Sequence, residues 1–197
     1  MQSTPHGFAD IGDQFLIAYA CTSGVEASFA SLFNVGHAAE LYLKSALLHS
    51  MPSTDVSTYR HNVASLLRDV QSANPSLLRT YILHDRVAER WVVNPKYSEG
   101  DTTDPDFEHY NLNIELYWIS RHLMDTKYLF ASHKGKLARA HIALTICGLN
   151  EYWQPFFKEL REFLMHGGVA LGDRLTRATR SANMPESGRR YLRGIAE

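Results

Sequence analysis

Residues 26–49 read EASFASLFNVGHAAELYLKSALLH. Apolar or small side chains recur there at helical spacing along two stripes, Phe29, Phe33, Gly36, Leu43 and Leu47 on one and Leu32, Val35, Ala39, Tyr42 and Ala46 on the other. A helix with two apolar stripes is covered on more than one side, so this stretch predicts the central rod of a helical bundle. Glu40 interrupts the first stripe, and Lys44 follows four residues later in the favoured acid-then-base order.

Outward from the rod, the same period continues. Phe8, Ile11, Phe15 and Ala18 predict a first helix ending near Thr22, and Val63, Leu66, Leu67 and Val70 predict another over residues 59–73. Asn74 before Pro75 resembles a cap and first-turn proline, which predicts a fresh helix reaching Trp91. Residues 92–104, VVNPKYSEGDTTD, are polar and rich in breakers and read as a loop. Helices are expected over residues 105–130 and 136–149, and a last strong one over residues 153–166. Beyond Gly168 helical patches alternate with breakers. With no period-two run, the chain predicts an all-α, antiparallel helical bundle with additional helices. Its 197 residues, 45% of them hydrophobic, suit one domain over residues 1–173 and a partly ordered tail over residues 174–197.

The net charge of −1 hides an asymmetry, because six arginines against two glutamates give the tail +4 and leave −5 on the remainder. A basic tail is compatible with phosphate contacts to nucleic acid as well as with simple solvation. Cys21 and Cys147 stand among apolar neighbours without metal-ligand spacing, which predicts small buried residues in a reducing compartment. The FLIAYAC run is too short for a membrane span and no basic segment precedes it, so a soluble, cytoplasmic protein is expected.

Ten histidines invite a metal hypothesis, yet neither the Glu-x-x-His pairs of a di-iron bundle nor His-Glu-x-x-His occurs. His37 with Glu40 and Asp106 with His109 are isolated pairs, and no metal or other cofactor is expected. Phosphate-binding glycine loops and the Gly-x-Ser-x-Gly nucleophile motif are also absent from the sequence.

What remains is residues 158–168, KELREFLMHGG. Arg161 carries the side chain best shaped to grip a phosphate, and His166 the one that exchanges protons near neutral pH. On an ideal helix their spacing sets them about 140° apart, so one helix does not make a site from both. A helix ending at His166, capped by Gly167 and packed against a second copy across a two-fold axis, would bring them together. The plain alternative is the last turn of an amphipathic helix, with Arg161 solvated and His166 stabilised by the helix dipole.

Three segments in this order, GHAAELYLKSALL at residues 36–48, YRHNVASLLRDV at residues 59–70 and LREFLMHGG at residues 160–168, resemble the HEPN family, the higher eukaryotes and prokaryotes nucleotide-binding domain. The resemblance covers about half the chain. It implies a helical bundle that dimerises and, in catalytic members, a metal-independent endoribonuclease with two arginines and two histidines at the dimer interface. On that reading His166 exchanges protons with the ribose and leaving oxygens, while Arg161 stabilises the charged transition state. Glu40 and Lys44 would support the site, as would Glu162, which stands where many members carry a polar residue and would either orient the arginine or repel phosphate. Many members act in host defence or toxin–antitoxin systems. RNA or a nucleotide is then the expected ligand, a second copy of the chain the expected partner, and an antitoxin or nucleotidyltransferase a further candidate. Other members bind nucleotides or proteins without cleaving RNA, which is the alternative reading of this chain.

Overall fold

A computed structural model describes residues 4–22, 28–79, 81 and 153–197. The helices expected over residues 105–130 and 136–149, the loop at residues 92–104, Cys147 and the Asp106/His109 pair lie outside the described residues, as do the side chains of Phe29 and Leu32. Among the described residues the fold is all-α. Its elements are α1 (Pro5–Thr22), α2 (Ser28–Ser50), a 3-10 turn (Val56–Tyr59), α3 (Val63–Ala73), α4 (Trp153–His166), α5 (Arg174–Thr179) and α6 (Glu186–Ala196).

α2 is the rod. Val35, Ala38, Ala39, Tyr42, Leu43, Ala46 and Leu47 are all at most 2% exposed, so from Val35 onward both stripes and the ground between them are buried, while Phe33 is half-buried. α1 runs antiparallel to it: Ser45 donates to the carbonyl of Pro5 at one end, and Phe15 meets Phe33 edge-on at the other. The buried face of α1 is rotated from the apolar stripe in its sequence. Phe8, Ile11, Phe15 and Ala18 are half-buried, whereas Ala9, Gly12, Asp13 and Leu16 face the core. Small size decides this, because a Cβ on Gly12 would lie 2.9 Å from the Tyr42 ring. Cys21, expected among the buried residues, is exposed on the last turn of α1.

α3 starts later than its pattern suggests. Arg60 takes a positive φ of 49° and Asn62 caps the helix by accepting a hydrogen bond from the Ser65 amide. Val63, Leu66, Leu67 and Val70 then face the core as expected. Residues 82–91 of the helix expected after Asn74 lie outside the described residues, while Asn74 and Pro75 lead into a turn over residues 75–79 rather than a helical first turn, with Leu78 at a φ of 54°. That strained residue is held from both sides, its amide donating to Glu159 and its carbonyl accepting from Gln71.

α4 carries the aromatic centre of the core, with Trp153, Phe156 and Phe157 fully buried and in mutual ring contact. Its C-terminus closes in a Schellman arrangement, in which the Val169 amide reaches Leu164 and the Gly168 amide reaches Met165. Gly168, not Gly167, takes the left-handed conformation, at φ 81°. Gly167 has a different task, since any Cβ there would strike the His49 ring.

The arginine-rich segment contributes α5 and α6 and docks on α1. Arg174 grips Asp10 through Nε and Nη2, and α6 buries Tyr191, Leu192 and Ile195. α6 can approach this closely because Gly188 lies against the Ala20 backbone, where a Cβ would come within 2.4 Å of the carbonyl oxygen. Backbone does not yield as a side-chain tip does. Gly188→Ala is therefore expected to destabilise the protein by about 1–3 kcal/mol, while Gly172→Ala, with nothing within 4 Å, leaves urea unfolding unchanged.

Candidate functional site

Two polar clusters interrupt the apolar core. The first joins three helices: Asp13 from α1, Tyr42 from α2 and Arg161 from α4. Nη1 of Arg161 donates to the Asp13 carboxylate and, at 2.5 Å, to the Tyr42 hydroxyl, which itself donates to Asp13. Arg161 is 5% exposed and Asp13 1%. Burial lifts the Asp13 carboxyl above its ordinary range, and Arg161 followed by Tyr42 pulls it only part of the way back. Burial, then the charge of Asp13, also raises the Tyr42 phenol far above its usual value, so it stays protonated and able to donate. Among the described residues Arg161 Nε has no acceptor.

This placement sets Arg161 and His166 apart within one chain, as their helical spacing predicts. Arg161 points into the core, whereas His166 is exposed in the last turn of α4 and Glu162 is exposed beside it. The acid that orients Arg161 is Asp13, from another helix, rather than its neighbour Glu162.

The second cluster centres on Glu40, which is 3% exposed. Its Oε1 receives Lys44 Nζ at 2.5 Å, and its Oε2 faces His61 Nδ1 at 2.9 Å and His37 Nδ1 at 3.5 Å. The local fold sets this up. His37, Glu40 and Lys44 lie on one face of α2 at spacings of three and four. The turned backbone at Arg60 presents its carbonyl to Lys44 Nζ at 3.0 Å and places His61 over the carboxylate. His37 is fixed between Phe15 and Phe33, with ring centroids 5.0 and 4.3 Å away, and meets the His61 ring edge-on. Burial alone would raise the Glu40 carboxyl. The hydrogen bonds from His37, Lys44 and His61, with the charge of Lys44, outweigh it and hold the group at about 2.

The structure thus brings together Glu40 and Lys44, both singled out in the sequence, and adds two histidines to them. His37 was visible only as a pair with Glu40, and His61 only as part of the YRHN segment. Asp13 gave no signal beyond an acid inside an otherwise apolar pattern. No helix among the described residues is long and apolar enough to cross a membrane. Comparison of the chain with family models, curated proteins and solved structures finds no match.

The Glu40 cluster has a pH signature. A carboxyl lowered from 4.5 in the unfolded chain to about 2 in the fold contributes stability that is present above pH 4.5 and lost as pH falls toward 2. Glu40→Gln is expected to cost roughly 2–3 kcal/mol at pH 7, and the gap from the parent protein should close between pH 4.5 and 2. Urea titrations at pH 7, 4.5 and 3 check this, and a gap independent of pH would contradict it.

Proposed function

We propose that this chain is a HEPN-like helical module that holds RNA or a nucleotide through phosphate contacts and does not cut it. The observation that carries this reading is the division of the arginines. The one that the family resemblance would assign to gripping phosphate, Arg161, already has its charge met by Asp13 and lies in the core. To reach a phosphate it would have to abandon a buried partner, at a cost of about 3–5 kcal/mol. Among the described residues, three arginines of the C-terminal segment turn outward. α6 buries one face, so Arg190 and Arg193 stand exposed on the other, with Arg180 exposed at the end of α5. Among the described residues none of these three has an acid within ion-pair distance. Exposed arginines without an acidic partner suit a polyanion, and binding without specific base contacts follows from charge alone.

A second reading, a homodimeric metal-independent endoribonuclease, draws support from the exposure of His166 at the end of α4, where a second chain could meet it. One experiment separates the two. Single-stranded RNA is titrated with the full chain by fluorescence anisotropy across a salt series in EDTA, and the RNA is then run on a denaturing gel. Binding with a log–log salt slope of about −2, as three phosphate contacts would give, is expected. It should flatten when Arg180, Arg190 and Arg193 are changed to Gln, with the RNA left intact. Cleavage that His166→Ala abolishes would overturn the non-cleaving reading in favour of the second.

A further inference from the structure

We propose that His37, Glu40 and His61 form a binding site for a divalent transition ion of the zinc class. One ligand atom from each of the three lies within 4.8 Å of the other two. Four-coordinate zinc, with bonds near 2.0–2.1 Å to nitrogen and oxygen, sets its ligand atoms about 3.3 Å apart. Two edges of the triangle bracket that length, Oε2 lying 3.5 Å from His37 Nδ1 and 2.9 Å from His61 Nδ1. The remaining edge is set by His61, which has room to adjust because its side chain is 35% exposed and lies on a turn rather than inside a helix.

The donor set suits such an ion. Two imidazole nitrogens and a carboxylate oxygen are the borderline ligands that zinc and its neighbours favour over magnesium or calcium. An ionised carboxylate only accepts, so both histidines must now turn an Nδ1–H toward the same oxygen. A metal would take the place of those two hydrogens, with each ring carrying its proton on Nε2 instead. The surroundings fix the ligands in advance. Lys44 occupies Oε1 and leaves Oε2 to bind through a single oxygen, and Phe15 and Phe33 hold the His37 ring in orientation. Exposure on the His61 side leaves room for water as the fourth ligand. The ion would tie α2 to the turn that begins α3. The site is independent of RNA binding on α5 and α6, so either proposal can fail alone.

The test is calorimetric titration of the untagged, chelator-treated full chain with zinc chloride, backed by cobalt(II) absorption spectra. One saturable site is expected, with visible cobalt bands of a four- or five-coordinate ion. His61→Gln should weaken zinc by at least the roughly tenfold that loss of even an outer partner costs and abolish the cobalt bands. His166→Gln, on the far end of α4, should leave both unchanged. His37→Gln should match His61→Gln. If that more enclosed substitution prevents folding, as circular dichroism would reveal, the surface variant His61→Gln decides alone. No saturable zinc binding, or equal affinity in the parent and His61→Gln, would overturn the proposal.

Discussion

A guanidinium inside a helical core must be answered by an acid. Arg161 on α4 meets that demand through Asp13 on α1, with the Tyr42 hydroxyl of α2 joining both. Taking two charges out of water is costly, and the upward displacement of Asp13 shows burial outweighing the attraction of its partner. Such a pair contributes little by forming and costs much when half of it is removed. Its effect is to permit one arrangement of three helices: a slip of α4 along the rod would leave an arginine and an aspartate facing hydrocarbon.

Neighbouring features follow from that arrangement. Gly12 has no side chain because the Tyr42 ring fills its place, and Gly167 has none because His49 does. The C-terminal helices dock where α1 offers Asp10 to Arg174 and the backbone at Ala20 to Gly188. Glu40 works differently from Asp13. It gathers three donors around one buried carboxylate and ends with a strongly stabilised charge, whereas Asp13 has two donors and remains penalised. The difference lies in the number and type of hydrogen bonds, since both carboxylates are almost wholly removed from solvent.

The amino-acid sequence carried the rod, α3 and α4 because their contacts with the core repeat along the chain, and periodicity reports repeated burial. It carried poorly what depends on a single distant partner. Asp13 and Arg161 are 148 residues apart, and each by itself resembles a solvated charge on an amphipathic helix. The Asn-Pro pair at residues 74–75 serves a turn as well as a helix start. Among the described residues, the turn is held by Glu159 and Gln71, which bind the amide and carbonyl of Leu78. Residues Glu40 and Lys44 were legible as a pair four apart, but His61 reaches them through the unusual backbone at Arg60, which no composition rule anticipates. The arginine of the KELREFLMHGG stretch declares its chemistry in the sequence, while its direction, inward, is a property of packing.

The assignment of Arg161 to the core rather than to a ligand rests on energetic coupling between Asp13 and Arg161. It is read most directly by a double-mutant cycle of Asp13→Asn, Arg161→Met and their combination, followed by equilibrium urea unfolding at neutral pH. A coupling of at least about 2 kcal/mol, with the double variant losing clearly less than the two single losses together, is the predicted result. Strictly additive losses would mean that the two side chains do not sense each other, and the arginine would then be available to meet something outside the fold.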